Sequence, residues 1–262
     1  MSFATKKLNN EVVKEVPTLT EKDRRKIKGA ALFPEIYCNV FLCARKKSGK
    51  TSVIYKILKR CCGRNTRIVA FCSTLNKDAS WETIQAWAQH KNIPFVGHTG
   101  IKEGKKDLLA ELIASLEQKE EIEEKVKGLL DSDSDEEEEE RPPKYRAPDY
   151  IFILDDLSHE LRYPSLTALL KKNRHFKAKV LLSSQWLNDL KPEARRQIDY
   201  FILFKGQSEN KLPDIYRDAD LPITPEQFQE VYDYATEEPY SFLYIDQGDK
   251  TFRRNFNTLI EM

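Results

Sequence analysis

The chain has 262 residues, and a hydrophobic content of 40% is enough for the core of one large domain or two small ones. Its formal net charge of +1 conceals an asymmetry. Residues 117–140 carry 13 acidic and 3 basic side chains, whereas the rest of the chain carries 29 acidic and 40 basic side chains, a net charge of +11. No apolar run reaches the ~20 residues of a membrane helix, which excludes a transmembrane segment. The basic remainder favours a polyanionic partner such as nucleic acid, although lysines that only aid solubility explain the same count.

The N-terminal segment and the cysteines indicate a reducing, intracellular setting. Residues 1–30 are polar, with a short helix predicted at 21–28, and the first ten lack the apolar core of a secretory signal. The cysteines are odd in number and match no zinc-binding spacing, which argues against a disulfide framework or a metal site. They are Cys38, Cys43, Cys61, Cys62 and Cys72.

Apolar runs alternate with helical patterns from residue 31 onwards. The predicted strands are 37–43, 67–72, 93–96, 150–156, 179–184, 200–204, 241–246 and 251–256. The predicted helices are 51–62, 81–90, 107–130, 165–174, 192–197 and 224–235. This alternation predicts an α/β fold with three layers, a mainly parallel central sheet and a C-terminal hairpin.

An acidic segment at 117–149 interrupts this pattern. Ser132-Asp-Ser-Asp is followed by five glutamates, a composition that cannot bury apolar surface. We therefore predict a disordered insert that leaves the surrounding domain, residues 31–262, intact.

The most specific motif is a phosphate-binding loop. The first predicted strand runs into Ala44-Arg-Lys-Lys-Ser-Gly-Lys-Thr51, and a helix follows, which is the layout of a P-loop. Backbone N–H groups of such a loop and the helix N-terminus bind a polyphosphate, so Lys50 is predicted to contact the terminal phosphates of ATP and Thr51 to ligate Mg²⁺. Ala44 replaces the usual first glycine, which is compatible with a P-loop if this position keeps ordinary backbone angles. The predicted ATP-binding residues are Ala44, Arg45, Lys46, Lys47, Ser48, Gly49, Lys50, Thr51 and Ser52.

A second motif is the acidic pair that ends the strand 150–156. An apolar strand that ends in a carboxylate is the Walker B arrangement, in which Asp155 is predicted to hold Mg²⁺. Asp156 is predicted to orient the attacking water, although a carboxylate that caps the turn before Ser158 explains it too.

Two further elements complete the predicted site. Gln185 ends the strand 179–184, where it is predicted to reach the γ-phosphate between the two motif strands; an ordinary polar strand end is the alternative. Arg195 and Arg196 are candidates for an arginine finger, although an ordinary basic helix or the P-loop residues 45–47 supply similar charge. About 100 residues separate Lys50 from Asp155, which favours ATPases that have an extra strand between the motif strands.

With these motifs in place, the chain resembles the poxvirus-type genome-packaging ATPases of large nucleocytoplasmic DNA viruses, in the FtsK/HerA group of P-loop motors. The resemblance covers about 33–245. Its most specific stretches are Lys171-Lys-Asn-Arg-His, Val180-Leu-Leu-Ser-Ser-Gln-Trp, Leu190-Lys-Pro-Glu-Ala-Arg-Arg-Gln, Leu154-Asp-Asp and the strand 200–204.

The resemblance implies a Mg²⁺-dependent ATPase that translocates double-stranded DNA into a viral capsid. It further implies a homo-oligomeric ring, a capsid or portal partner, and a location in the virion or the host cytoplasm. By position, it implies Lys50 and Thr51 on phosphate and Mg²⁺, and Asp155 on Mg²⁺. Asp156 would act on water, Gln185 as a γ-phosphate sensor and Arg195 or Arg196 as the finger. The alternatives are a helicase or conjugation-type DNA pump, a small-molecule kinase, and a non-catalytic scaffold.

Overall fold

A nine-stranded sheet organises the computed structural model of the chain, which describes residues 25–130, 144–207 and 211–261, leaving aside the side chains of 123–130. The strands are β1 Lys26–Ile27, β2 Asn39–Cys43, β3 Arg67–Cys72, β4 Phe95–His98, β5 Lys102–Glu103, β6 Lys106–Asp107, β7 Tyr145–Arg146, β8 Tyr150–Asp155, β9 Ala178–Ser184, β10 Tyr200–Phe204, β11 Phe242–Asp246, β12 Thr251–Arg254 and β13 Thr258–Ile260. The α-helices are α1 Lys50–Cys61, α2 Ala79–His90, α3 Leu108–Leu130, α4 Pro164–Lys172, α5 Pro192–Arg195, α6 Leu212–Ala219 and α7 Pro225–Ala235. Short 3-10 turns cover Ser158–Arg162 and Leu187–Asp189.

The order of the strands confirms the predicted sheet. It runs β13-β12-β11-β10-β2-β9-β8-β3-β4, with parallel pairing from β10 to β4 and antiparallel pairing from β10 to β13. The C-terminal hairpin is therefore β11–β12. Strand β9 lies between β2, which leads into the P-loop, and β8, which ends in the acidic pair. A strand therefore lies between the two motif strands, as expected, but it is supplied by residues after Asp155; the residues between Lys50 and Asp155 supply β3 and β4, on the far side of β8.

Helices cover both faces of the sheet, which confirms the three layers. Alternate residues of β2 belong to different cores: Val40 and Leu42 pack with α1 and α2, and Phe41 packs with α3, α4, α6 and α7. Because both faces are covered, the parallel strands are buried along nearly their whole length, which explains why their sequences are continuous apolar runs.

Some predicted boundaries differ from the structure. Residues 26–27 of the predicted helix 21–28 form β1, which pairs in parallel with β7; residues 21–24 lie outside the described residues. A helix of about two turns has few hydrogen bonds to offset its nucleation, so strand pairing with a distant segment is preferred. Helix α3 extends to Leu130, so the acidic segment 117–149 includes the second half of a helix; residues 131–143 are not described.

The five cysteines are buried and unpaired, and the described residues hold no cluster of side chains suited to a bound metal. Among the described helices, none combines the length and the apolar character that crossing a bilayer requires.

Candidate nucleotide site

The loop between β2 and α1 has the backbone of a phosphate cradle. The Ala44 N–H donates to the carbonyl of Ser184 at 3.0 Å, which ties the start of the loop to the end of β9. Lys47 and Gly49 have φ of 64° and 90°, and Gly49 is the N-cap of α1. Ala44 has a negative φ, so the expectation of ordinary angles at this position is confirmed and the missing glycine causes no strain.

Lys50 and the two carboxylates meet at the carboxyl edge of the sheet. Lys50 opens α1, and its Nζ lies 2.8 Å from Oδ1 of Asp155 and also forms an ion pair with Asp156. The exposed fractions of the three side chains are 12%, 2% and 28%. Burial lowers the pKa of Lys50, but the two carboxylates more than offset this and raise it above its ordinary value. The predicted P-loop lysine and Walker B pair therefore share one site.

Asp156 has a strained backbone at the end of the strand. Its φ is 54°, and its carbonyl accepts a hydrogen bond from the Ser73 hydroxyl at 3.0 Å. A non-glycine residue in the left-handed region is uncommon and persists where the surroundings hold it. This turn brings the Asp156 carboxylate to Lys50 beside Asp155, although successive residues of a regular strand point to opposite faces.

Buried hydroxyls with no partner indicate where ligand atoms fit. Within the described residues, the Ser48 and Ser183 hydroxyls are buried and make no hydrogen bond. Ser183 lies opposite Asp155 in the register of β8 and β9, so both belong to the face that α1 covers. Thr51, the second residue of α1, is half-buried. Carboxylate and hydroxyl oxygens are the ligands that Mg²⁺ prefers, so these residues fit a phosphate-bound magnesium ion.

Gln185 lies between the two motif strands, as predicted. It directly follows β9 and its side chain is exposed. Its carbonyl accepts a hydrogen bond from Lys211 Nζ at 2.7 Å. The Lys211 ammonium also lies 5.3 Å from the ring centroid of the exposed Trp186. The backbone of the predicted sensor is therefore linked to the segment that precedes α6.

The two candidate finger arginines differ in their surroundings. Arg195 donates to the carboxylate of Asp218 and to the side chain of Asn188, each at 2.8 Å. Arg196 is exposed, and its side chain has no hydrogen bond or ion pair to another described residue. Arg195 therefore connects α5 to α6 and the preceding turn, and Arg196 is the arginine that is accessible to a partner.

Arg196 lies towards the end of the sheet opposite the P-loop, whereas the Arg195 guanidinium reaches back to Asn188, three residues after Gln185. Gln197, which follows Arg196, accepts a hydrogen bond through its carbonyl from the side chain of Asn39, the first residue of β2, at 2.7 Å. Asn39 and Ala44 are five positions apart, which corresponds to about 16 Å of strand. The segment that follows α5 therefore lies about one strand length from the phosphate loop of its own chain.

The basic residues of the P-loop are closer to the site. Arg45, Lys46 and Lys47 are exposed. The Arg45 side chain packs over Gly206, where a Cβ would lie 3.3 Å from its Cδ. The neighbouring Gln207 donates from its side-chain amide to the carbonyl of Cys43 at 3.0 Å. The segment after β10 thus supports the P-loop from the side away from the carboxylates.

Sequence reasoning missed two residues at this edge. Tyr240 precedes β11, and its ring lies against Gly49. Glu160 follows the acidic pair and accepts hydrogen bonds from the backbone N–H groups of Ile101 and Lys102. Neither residue has a local signal, because the partner of each lies far away in the sequence.

Known proteins share the fold of this chain. No family model matches it. It is 29% identical over 101 residues, 37% of its length, to the uncharacterized protein 075L of Invertebrate iridescent virus 6, and the match spans 39% of that relative. Its structure is similar to the genome packaging NTPase B204 of Sulfolobus turreted icosahedral virus 2 in complex with AMP, with a TM-score of 0.55 and 20% identity over 84% of this chain and 96% of that one.

A second solved structure gives the same result. B204, the DNA-packaging ATPase of Sulfolobus turreted icosahedral virus, has a TM-score of 0.54 and 20% identity over 82% of this chain and 95% of that one. The predicted P-loop NTPase fold is therefore confirmed, and so is the likeness to viral genome-packaging ATPases.

Proposed function

We propose that this chain is a Mg²⁺-dependent ATPase that moves double-stranded DNA into a viral capsid as a subunit of a homo-oligomeric ring. The observation that carries the proposal is the meeting of Lys50 with Asp155 and Asp156 at the edge of a sheet in which β9 separates their strands. The structural likeness to viral packaging ATPases supports the DNA-moving role. Such a protein would act in the virion or at the assembly site in the host cytoplasm, together with a capsid or portal component.

The chemistry assigns distinct tasks to the three charged residues. A bound triphosphate is a stronger anionic partner for the Lys50 ammonium than the carboxylates, so Lys50 would leave them and neutralise the phosphates. Mg²⁺, held by Thr51 and Asp155, would supply positive charge between the phosphates. Asp156 would accept a hydrogen bond from the water that attacks the γ-phosphorus as the bond to the β-phosphate oxygen breaks.

Gln185 and Arg196 would connect hydrolysis to movement. Gln185 would report the presence of the γ-phosphate through its position between the motif strands. Arg196 directly precedes Gln197, which lies at the end of the sheet opposite the P-loop, and this position supports a role for Arg196 on the nucleotide of a neighbouring subunit in the ring. The net charge of the chain outside residues 117–140 suits contacts with DNA phosphates, which depend on salt but not on base sequence.

ATP turnover with and without duplex DNA tests the proposal. We expect duplex DNA to stimulate phosphate release by the wild-type chain, and we expect Lys50→Ala to lower turnover at least about 100-fold because the phosphates lose their closest positive charge. Lys59→Ala is the matched control, since Lys59 is an exposed lysine in the last turn of the same helix, and it should retain activity. An ATP turnover rate that duplex DNA does not change, or that Lys50→Ala does not lower, would contradict the proposal.

A strand-displacement assay separates this function from its nearest rival. A packaging motor should move along duplex DNA without unwinding it, whereas a helicase releases a labelled strand. Phosphate release that depends on DNA would also exclude a small-molecule kinase.

A further inference from the structure

An exposed tyrosine lies against the N-terminus of α1. Tyr240 belongs to the loop between α7 and β11, and 72% of its surface is exposed. Its φ is 65°, in the left-handed region that is unusual for a bulky residue. A Cβ on Gly49 would lie 3.2 Å from Cδ1 of the Tyr240 ring, so the ring packs directly on the N-cap of the P-loop helix.

Three contacts hold the loop of Tyr240 in place. The Ser241 hydroxyl donates to the carbonyl of Glu238 at 2.6 Å, and the Glu238 carboxylate forms an ion pair with Arg254 at 2.9 Å. Lys205, from the segment that supports the P-loop, donates to the carbonyl of Glu237 at 2.9 Å. A strained backbone persists where its surroundings over-determine it, so this loop is built to present the ring at one position.

Burial does not explain that position. With most of its surface exposed, the Tyr240 ring contributes little to the apolar core, and a rigid exposed aromatic residue is a common feature of binding sites. Gly49 is the one P-loop residue that can accept the ring this closely, because it lacks a side chain and has positive φ.

The topology places Tyr240 on the side of the P-loop away from the carboxylates. Strands β11 and β10 lie on one side of β2, and β9 and β8 lie on the other. A nucleotide whose terminal phosphate faces Asp156 must extend its ribose and base away from that carboxylate. Tyr240 lies on the side of the α1 N-terminus towards which the ribose and base would extend.

We propose that Tyr240 is the aromatic platform on which the base of the nucleotide stacks. This inference rests on the proposed function, because it names how the same site holds the base of its substrate. Stacking of a base on an aromatic side chain contributes about 1–3 kcal/mol and needs the ring but not the hydroxyl. The loop and Lys50 would hold the phosphates, so the affinity for the phosphates would not depend on the ring.

Comparison of ATP with inorganic tripolyphosphate isolates this contribution. Calorimetric titration of the full chain without Mg²⁺ should show Tyr240→Ala and Tyr240→Leu binding ATP about tenfold more weakly than the wild type, with unchanged affinity for tripolyphosphate. Tyr240→Phe should bind both ligands as the wild type does. Tyr145→Ala removes another exposed tyrosine at the distant β7 and serves as the control.

Two results would contradict this inference and leave the proposed function intact. Equal loss of ATP and tripolyphosphate in Tyr240→Leu would mean that the ring only shapes the P-loop, and unchanged ATP binding in both truncated variants would mean that it does not contact the base. A wild-type chain that binds neither ligand, with or without Mg²⁺, would instead refute the proposed function, and this inference with it. Unfolding midpoints equal to that of the wild type identify the variants that are folded.

Discussion

At the scale of single residues, Lys50 neutralises the charge of two carboxylates in the structure. Asp155 is almost fully buried, and an unpaired carboxylate there would be strongly unfavourable because little water reaches it. Lys50 neutralises Asp155 and Asp156 together. If Lys50 turned to a phosphate, as the proposed function requires, Asp155 and Asp156 would need another positive charge, which a divalent cation held by Asp155 would supply.

A half-buried carboxylate predicts a pH dependence of stability. Asp199 accepts a hydrogen bond from the Asn39 N–H at 2.7 Å beside the start of β2. Burial raises the pKa of Asp199 to about 6; the Asn39 bond and the charges of Arg174 and Lys179 lower it, and Glu35 raises it. Because the pKa is higher in the folded state, the contribution to stability is present below about pH 3.8 and is lost as the pH rises through about 6.

We expect Asp199→Asn to become progressively more stable than the wild type as the pH rises from 4 to 8. Asparagine keeps the acceptor for Asn39 but cannot ionise, so it should gain up to about 2 kcal/mol of unfolding free energy relative to the wild type over this range. Urea unfolding at five pH values measures this difference. Asp249→Asn, at an exposed position, controls for the loss of one negative charge. A difference between Asp199→Asn and the wild type that does not change with pH would show that Asp199 is not the group responsible.

At the scale of elements, a hairpin is connected to the segment that follows the acidic pair. The hairpin is β5–β6, with Gly104 at its turn in the left-handed region. At its base, Glu160 accepts hydrogen bonds from the N–H groups of Ile101 and Lys102. A Cβ on Gly100 would lie 3.1 Å from the Glu160 oxygens, so glycine leaves room for this contact. A shift of the segment after Asp156 would therefore be transmitted to the hairpin.

Loss of the Glu160 acceptor should loosen the hairpin locally. In Glu160→Ala, we expect the amide hydrogens of Ile101 and Lys102 to exchange about tenfold faster or more, since each loses a charged acceptor. Glu160→Gln keeps a carbonyl acceptor and should exchange closer to the wild type. Hydrogen exchange followed by mass spectrometry measures both variants, and unchanged exchange in Glu160→Ala would rule out the connection.

The elements that the sequence predicted best are those with strong local patterns. Strands β3 and β10 match their predicted bounds, and α1 is shifted by one residue, because apolar runs and the P-loop define them locally. Helix α6, strand β13 and the hairpin β5–β6 were not predicted, since short or polar segments gain their structure from tertiary contacts.

In the candidate site too, local motifs predict some features, and contacts between distant segments determine the others. The meeting of Lys50 with Asp155 follows from two local motifs and from the rule that parallel strands end at one edge. The partner of Arg195 and the position of Tyr240 depend on contacts between segments that are distant in the sequence, for which the residues carry no signal.

At the scale of the whole molecule, the sheet separates the parts of the proposed active site. The P-loop and the acidic pair lie at the carboxyl edge, and Arg196 lies near the start of β2 at the opposite edge. This separation of about one strand length favours a role for Arg196 at the proposed nucleotide site of a neighbouring subunit rather than at that of its own chain. A head-to-tail ring, in which one edge of each subunit faces the other edge of the next, would complete every site with a neighbour's arginine.

Mixing two inactive variants tests that arrangement. Asp156→Asn removes the carboxylate that orients water, and Arg196→Ala removes the arginine, so each variant alone should have low ATP turnover in the presence of duplex DNA. In an equal mixture, a site is intact when an Arg196→Ala subunit holds the nucleotide and an Asp156→Asn subunit supplies the arginine, which random assembly gives at about one quarter of the interfaces. We therefore expect the mixture to recover roughly a quarter of the wild-type rate.

Three controls accompany this experiment. A mixture of Arg196→Ala with Lys50→Ala should recover activity in the same way, because Lys50 and Asp156 belong to the same subunit's half of the site, whereas Asp156→Asn mixed with Lys50→Ala should not. Arg195→Ala should mainly lower stability, since Arg195 is held by Asp218 within its own chain. If Arg196→Ala alone retains full turnover, or if the first mixture stays as inactive as its components, then Arg196 does not act across the interface, and the exposed P-loop residues Arg45, Lys46 and Lys47 become the source of the positive charge.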